Sequence, residues 1–326
     1  PKIQLLNYVD SIIHVYNRFG RRDNIHRARI KILVDELGLN EARRQIYEHY
    51  NSLKNESRLP STDIIKFITD EFSPPDFSTA KEHDLEKDFI RSLSLKNWAE
   101  TNLTSHRDPN HVIVSVSLKK PGATPGDATA KQMRVLADLA EQYAYDELRV
   151  SHEQNIILPH VPKQHVIKIY NKLNEADLAT SNIGMVSDII SCPGMDYCKL
   201  ATARSIPIAK QIATRFCELK TERDIGPLKI KISGCINACG HHHVGHIGIL
   251  GLDRRGVENY QITLGGDGTE DAHIGERTGR GFPADKLIGA IETIINVYLN
   301  GRKNRNETFL NFYRRVGLSP FKLAIY

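Results

Sequence analysis

The stretch SGCINACGHHHVGHIG, residues 233–248, places two cysteines ahead of three consecutive histidines. Three residues separate Cys235 from Cys239, and the alternating run LKIKIS before them predicts a strand that ends close to the first cysteine. A pair of this kind could ligate zinc, ligate an iron–sulfur cluster or form a disulfide. The other cysteines of the chain narrow these alternatives.

A second pair, Cys192 and Cys198, has five intervening residues and also follows a predicted strand. The fifth cysteine, Cys217, lies in the helical pattern IAKQIATRFCELK, and we expect it to have no ligand role. An odd number of cysteines in a chain of 326 residues argues against a disulfide framework. Two pairs that each follow a strand could face one another across one edge of a sheet.

The spacing of the two pairs favours an iron–sulfur cluster over zinc, although zinc stays an alternative. Zinc pairs usually have about two to four intervening residues, and four thiolates are the usual ligands of a cluster. We expect Cys198 to open a helix, where unpaired N–H groups and positive potential stabilise thiolates. We expect residues 241–243 to begin a strand, whose alternating side chains could not all ligate one metal ion.

The composition indicates a globular protein with a core, because 40% of the residues are hydrophobic and 25% are charged. No apolar run approaches the roughly 18 residues of a membrane span, and the start PKIQLLNYVD lacks a signal-peptide pattern. We therefore expect a cytoplasmic protein without a membrane partner. The net charge of +5 is too small to indicate nucleic-acid binding, but it permits an acidic protein partner or an anionic small molecule.

The pattern of apolar residues predicts an α+β protein with four consecutive parts. Helical spacing dominates residues 1–58, and the Pro-Pro pair and irregular spacing of residues 59–95 predict a linker. Residues 96–178 combine strand and helix patterns in a small α+β unit. Residues 179–326 contain both cysteine pairs, further strands and a helix near the end.

Several segments together resemble the siroheme-dependent sulfite and nitrite reductases. SCPGMDYC (191–198) and KISGCINACG (231–240) resemble the cluster motif of that family, in which an asparagine lies inside the second cysteine pair. RRDNIHRARIKILVDELG (21–38) resembles its basic anion-binding segment, and ELRVSHEQNIIL (147–158) resembles its second ferredoxin-like unit. FYRRVGLSPF (312–321) resembles bacterial members, so the resemblance covers essentially the whole chain.

This resemblance implies a particular α+β architecture. Residues 96–178 would form a ferredoxin-like half domain, and residues 179–326 a larger α/β domain that binds siroheme and a [4Fe-4S] cluster. Residues 1–58 would be the C-terminal part of a preceding, similar domain, joined by the linker 59–95. Family members are about twice as long and have two pseudo-symmetric halves, so we expect this chain to start inside the first larger domain.

The resemblance also implies which residues bind the cofactors. Four cysteines would hold the [4Fe-4S] cluster: Cys192, Cys198, Cys235 and Cys239. Cys239 would bridge to the siroheme iron, and Asn237 would donate a hydrogen bond near the bridge. Gln154 and Asn155 match the Gln-Asn pair of the family and would bind the cofactor, and Arg27 would contact the siroheme carboxylates.

Two cations match the family's pair above the distal face of the haem, namely Arg29 and Lys31. Cations offset the desolvation of an anion such as sulfite, and Lys31 can donate a proton whereas Arg29 mainly holds charge. The implied function is the six-electron reduction of sulfite to sulfide. Because nitrite enzymes tend to carry a neutral residue in place of Lys31, the pair favours sulfite over nitrite.

The alternatives are nitrite reduction to ammonia, a non-catalytic iron–sulfur electron carrier or remnant subunit, and a zinc-stabilised binding module. The sequence contains no G-x-G-x-x-G motif in a strand–helix setting and no second cluster motif. We therefore expect electrons to come from an external donor, either a flavoprotein or a ferredoxin.

Overall fold

Residues 4–53 and 62–326 are described by a computed structural model, in which the chain divides into two units. The N-terminal unit is Pro1–Pro75, and the second unit is Asp76–Tyr326. Helices and two separate sheets occur together, as the α+β prediction requires. Within the described ranges, no helix is both long enough and apolar enough to cross a membrane.

The N-terminal unit is helical in its described part. Its helices are α1 (Leu5–Phe19), α2 (Ile30–Leu37), α3 (Leu39–Leu53) and α4 (Thr62–Glu71), with a 3-10 turn at Ile25–Arg27. Helix α1 packs against α3, where Tyr8 lies edge-on to Tyr47 and Tyr50 at ring-centroid distances of 5.8 and 5.6 Å. The buried side chains of α1 are those of Asn7, Ser11 and Val15, so polar groups contribute to this contact as well.

The predicted linker, residues 59–95, contains more regular structure than its sequence indicates. Helix α4 lies within it, and so does helix α5 (Leu85–Arg91). Phe89 of α5 packs against the core of the half domain, which explains why a polar-looking segment folds there. The predicted boundary between residues 58 and 59 lies outside the described residues, and the domain limits themselves stay a prediction.

The half domain is an antiparallel sheet covered by helices. Its strands, in the order β1-β2-β4-β3, are β1 (Leu103–Ser105), β2 (His111–Val116), β3 (Arg149–Val150) and β4 (Ile156–Pro162). Its helices are α6 (Leu93–Asn102), α7 (Ala130–Tyr143) and α8 (Val166–Glu175). Helix α7 begins with a capping box between Thr129 and Gln132, and Trp98, Val114 and Leu158 are buried in the core.

The larger domain is a six-stranded mixed sheet with helices. Its strands are β5 (Ile190–Ser191), β6 (Ile230–Ser233), β7 (Ile247–Arg254), β8 (Val257–Leu264), β9 (Glu276–Arg277) and β10 (Phe282–Pro283). Its helices are α9 (Gly194–Tyr197), α10 (Ile206–Leu219), α11 (Glu222–Ile225), α12 (Ala284–Gly301), α13 (Phe309–Val316) and α14 (Ser319–Ile325). Ile230 and Ile232 of β6 pack into the same core as Ile291 of α12.

The strand order β10-β8-β7-β6-β5 places the two cysteine loops side by side, and β9 pairs with β8. Strands β5, β6 and β7 run parallel, with Ser191 opposite Ile232. Cys192 follows β5 directly, and Cys235 follows β6 after one residue. Since the carboxyl ends of parallel strands meet at one edge of a sheet, both loops emerge at that edge.

Candidate functional site

The first cysteine of each pair lies at the end of a strand and is buried. The Cys192 N–H donates to the Ile232 carbonyl at 3.1 Å, which continues the parallel ladder past β5. The Gly234 N–H then donates to the Cys192 Sγ at 3.1 Å. Cys192 and Cys235 are 9% and 8% exposed. Hydrogen bonds to cysteine sulfurs are one of the ways in which proteins tune iron–sulfur clusters.

Glycine at position 234 lets the two cysteine loops touch. The Gly234 carbonyl accepts N–H bonds from Thr202 and Ala203, which lie beyond the first pair, at 2.9 and 3.0 Å. A Cβ atom at Gly234 would lie 2.6 Å from the Ala203 carbonyl oxygen and 2.9 Å from the Gly194 Cα. A side chain there would push the loops apart, so the contact between them depends on glycine.

The prediction that Cys198 opens a helix is wrong. Cys198 follows the single helical turn α9, and its N–H donates to the Gly194 carbonyl at 2.9 Å. The next helix, α10, begins only at Ile206. Gly194 has a φ of +59°, so the chain turns immediately after the first cysteine and the helical turn lies between the pair. Cys198 therefore receives no help from a helix N-terminus.

The second pair lies in a loop with two left-handed residues. Ala238 and His241 have φ values of 58° and 54°. The Ala238 N–H donates to the Cys235 carbonyl at 3.2 Å, which closes the turn between the cysteines. Cys239 and Asn237 are both exposed on this loop. The predicted bridging cysteine and the neighbouring amide thus both lie at the surface of this unit.

The prediction that residues 241–243 begin a strand is also wrong. His242–Val244 form a 3-10 turn, and β7 begins at Ile247. The left-handed His241 sends the chain into this turn before the strand can start. His242 is 1% exposed, and burial lowers its pKa to about 4. Its Nδ1 atom has no hydrogen-bond partner among the described residues, and its ring lies 4.0 Å from that of His243.

The chemistry of the four cysteines fits a [4Fe-4S] cluster. All five cysteines are free thiols, and Cys217 is exposed on α10, away from the four that follow β5 and β6. Four thiolates from two adjacent loops are the donor set that such a cluster takes. In the described part of the chain, no three histidine, cysteine or acidic side chains are close enough together to hold one metal ion. The four thiols are therefore available in the loops at this edge of the sheet, but among the described residues they do not form a site for a single metal ion.

Gln154 and Asn155 make their hydrogen bonds to the protein. The Gln154 Nε2 donates to the Ser191 carbonyl at 2.7 Å, and its Oε1 accepts from the Ser191 N–H at 3.1 Å. Asn155 is 3% exposed, and its Nδ2 donates to Asp188 Oδ1 at 3.0 Å. Both residues line a cavity of ≈ 850 Å³ that Cys192 also lines. A cofactor role for the two amides stays a prediction.

The three predicted cations belong to the N-terminal unit, whereas the four cysteines belong to the second unit. Arg27 ends the 3-10 turn, Arg29 precedes α2, and Lys31 lies in its first turn. All three are exposed. Their roles at the haem stay predictions.

Two buried charged residues near the first cysteine loop could not be predicted from the sequence. The Lys119 Nζ donates to Asp188 Oδ1 at 2.6 Å, and the two residues are 2% and 6% exposed. The pair joins the loop after β2 to the segment before β5. A single lysine and a single aspartate 69 residues apart cannot be paired from sequence patterns.

Comparison with known proteins identifies both domains. The family described as "Nitrite and sulphite reductase 4Fe-4S domain" matches residues 1–54 and 184–325. The family described as "Nitrite/Sulfite reductase ferredoxin-like half domain" matches residues 106–176. The first of these alone covers more than half of the chain, and its second segment includes all four cysteines of the two pairs.

Individual relatives are named as nitrite reductases or as sulfite reductases. The ferredoxin–nitrite reductase of Synechococcus elongatus is 26% identical over 291 residues, which are 87% of this chain and 49% of that protein. Sulfite reductase [ferredoxin] 1 of Mycolicibacterium paratuberculosis is 26% identical over 211 residues, which are 61% of this chain and 38% of that protein.

A solved structure shares the fold. The structure of Mycobacterium tuberculosis NirA protein has a TM-score of 0.67 at 18% identity, and the match covers 98% of this chain and 53% of that one. The chain thus spans about half the length of the relatives that it matches. With its two domain matches and its paired cysteines, the chain belongs to the nitrite and sulfite reductase family, whose cofactors are siroheme and a [4Fe-4S] cluster.

Proposed function

We propose that this chain is the C-terminal part of a haemoprotein that reduces sulfite to sulfide in a six-electron reaction. The observation that carries the proposal is the contact between the two cysteine loops, in which the Gly234 N–H donates to the Cys192 Sγ at 3.1 Å. Cys192, Cys198, Cys235 and Cys239 would hold the [4Fe-4S] cluster, and Cys239 would also bind the siroheme iron. When bound, the two groups would supply electrons one at a time to an anion.

The domain organisation that we propose follows the predicted limits. Residues 1–58 would be the end of a first siroheme-binding domain, residues 96–178 the half domain, and residues 179–326 the cluster domain. The family matches at 1–54 and 184–325, on either side of the half-domain match, support this order. The linker would then be residues 59–95, with helices inside it.

Charge on the N-terminal unit supports an anionic substrate. We propose that Arg29 holds charge next to the bound anion and that Lys31 donates protons, since each S–O bond that breaks needs protons as well as electrons. Arg27 would pair with the siroheme carboxylates, and Asn237 would donate a hydrogen bond near the bridging thiolate. Lys31→Ala should lower sulfite turnover at least about tenfold while leaving the iron content unchanged.

Nitrite reduction is the second candidate, because the Synechococcus relative is named a ferredoxin–nitrite reductase. The electron donor that we propose is an external one-electron protein, and the word ferredoxin in both relatives' names supports a ferredoxin over a flavoprotein. The cytoplasmic location and the lack of a nucleic-acid partner stay predictions from the sequence.

The first experiment is a metal and cofactor analysis of the anaerobically purified chain. We expect about four irons per chain from the cluster and a fifth where siroheme is bound. Cys235→Ser should abolish the cluster absorption, whereas Cys217→Ser, the matched control on α10, should keep it. Zinc without iron would refute the proposal in favour of a binding module. Iron without siroheme, even when siroheme is supplied, would favour an electron carrier.

A second experiment separates the two substrates. Turnover of sulfite and of nitrite is measured with the same chemically reduced dye as electron donor, for the wild type and Lys31→Ala. A higher kcat/KM for sulfite, lost in the variant, supports the proposal. A higher kcat/KM for nitrite that is insensitive to Lys31→Ala would assign the chain to nitrite reduction and remove Lys31 from the chemistry.

A further inference from the structure

We propose that Gln154 and Asn155 are positioning residues, through which the half domain holds the first cysteine loop in place. The positioning role rests on the proposed cluster site, because it matters for function only if Cys192 is a ligand. The two side-chain amides form hydrogen bonds with strand β5 and with the segment that leads into it.

Strand β5 is short and lies at the edge of its sheet. It has two residues, Ile190–Ser191, and pairs only with β6 in the described strand order. Because the Cys192 N–H donates to the Ile232 carbonyl, the neighbouring peptide groups of Ser191 face away from β6. An edge of this kind would otherwise leave a buried N–H and C=O without partners. Ser191 is 4% exposed, so water cannot easily satisfy them.

The Gln154 side chain satisfies both groups. Its Nε2 donates to the Ser191 carbonyl at 2.7 Å, and its Oε1 accepts from the Ser191 N–H at 3.1 Å. A single side-chain amide thus pairs with Ser191 as a neighbouring strand would. Gln154 has a φ of 60°, an unfavourable conformation for a residue with a Cβ. The backbone adopts it where the side chain reaches across to the residue directly before Cys192.

Asn155 anchors the segment that leads into the strand. Its Nδ2 donates to Asp188 Oδ1 at 3.0 Å, and its Oδ1 accepts from the Leu118 N–H at 3.2 Å. The other carboxylate oxygen of Asp188 accepts from the Gly184 N–H at 2.8 Å. The buried Lys119 ammonium completes the network at 2.6 Å from Asp188 Oδ1. Buried hydrogen-bonded networks rigidify the segments that they join.

Each of the two amides has its oxygen and one of its two hydrogens bonded to the protein. The contacts of Gln154 lie on the backbone directly before Cys192, so the half domain would act on the first cysteine loop through that backbone. Loss of the Gln154 amide should leave the Ser191 N–H and carbonyl without their side-chain partner. The Cys192 residue, which is 9% exposed in the folded chain, should then become more accessible.

The test uses two variants and a control. Gln154→Glu replaces the donor to the Ser191 carbonyl by an oxygen, and Gln154→Gly removes the amide while the left-handed backbone stays favourable. Gln142→Glu, an exposed glutamine of α7, is the matched control. The rate of alkylation at each cysteine is measured by mass spectrometry on the iron-free full chain, and iron release to a chelator is measured on the iron-loaded chain.

We expect both Gln154 variants to raise the alkylation rate of Cys192 about tenfold. The alkylation rate of Cys235, the internal reference, should stay unchanged, and Gln142→Glu should show the same rates as the wild type. Iron release should accelerate by a similar factor. An unchanged alkylation rate of Cys192 in both variants would overturn the positioning role, even if the variants lost siroheme. Equal increases in the alkylation rates of Cys192 and Cys235 would overturn it as well. A wild-type chain that never takes up iron would refute the cluster proposal, while the alkylation rates would still decide the positioning role.

Discussion

Protonation of His246 should make this fold sensitive to mild acid. His246 precedes β7, and its Nδ1 accepts a hydrogen bond from the Lys229 N–H at 3.2 Å, which requires an unprotonated nitrogen. Burial lowers the pKa of His246 to about 4, and the neighbouring cations Lys229, Lys231 and Arg314 act in the same direction. Asp267 acts in the opposite direction and raises this pKa.

The size of the effect follows from the two pKa values. An unfolded chain binds a proton at this histidine below a pKa of 6.5, whereas the folded chain binds it only near a pKa of about 4. The unfolded state therefore binds more protons between these values, so stability is fully present above pH 6.5 and falls as the pH decreases. At pH 5 the loss amounts to at most about 2 kcal/mol of the free energy of unfolding, because the side chain is half-buried.

The assay is urea unfolding at pH 7 and pH 5, followed by circular dichroism under anaerobic conditions. In His246→Asn the amide oxygen can still accept the Lys229 N–H, but the group no longer titrates. The variant should lose less free energy of unfolding than the wild type between the two pH values, by up to about 2 kcal/mol. His152→Asn removes a histidine whose side chain is 76% exposed and serves as the control. An identical loss in the wild type and in His246→Asn would refute the reasoning.

Four further substitutions test the site and the core. Gly234→Ala places a Cβ 2.6 Å from the Ala203 carbonyl oxygen, so metal analysis of the purified variant should find almost no iron. The same iron content as in the wild type would contradict the proposed contact between the loops. Cys217→Ser should retain the iron content of the wild type, and a loss of iron would show that this thiol is a ligand. Leu158→Ala, at a fully buried position of the half-domain core, should lower the free energy of unfolding by about 2–5 kcal/mol in urea titrations. Leu323→Ala, at a position that is 84% exposed, should change it by less than about 0.5 kcal/mol, and equal effects of the two leucines would contradict the assigned core.

The sequence predicts the family through the resemblance of its cysteine motifs, and it predicts the general placement of the cysteine pairs for a physical reason. The alternation in LKIKIS is typical of a strand, and the glycine that follows it permits a sharp turn into the cysteine loop. Neighbouring parallel strands then bring Cys192 and Cys235 to the same edge. The family is confirmed by the domain matches, and the α+β fold by the match to NirA.

The local conformation of the loops could not be predicted in the same way. Cys198 fails to open a helix because Gly194 turns the chain early, and residues 241–243 leave the strand pattern because His241 is left-handed. Both effects depend on backbone angles that periodicity does not encode. The helix at Leu85–Arg91 inside the predicted linker forms because Phe89 finds a place on the half-domain core, which is a tertiary contact.

The pairing of Gln154 with Ser191 shows why the half domain and the cluster domain form one structural unit. A two-residue edge strand has too few backbone bonds to fix the loop that follows it, and these side-chain bonds come from a residue 37 positions earlier in the chain. Motif spacing identifies the four thiols, but their position relative to one another depends on β5 staying in register with β6. The half domain maintains that register through Gln154, Asn155 and the Lys119–Asp188 ion pair. A chain that carried the cysteine motif without these contacts would keep the four thiols but lose the arrangement in which they could bind one cluster.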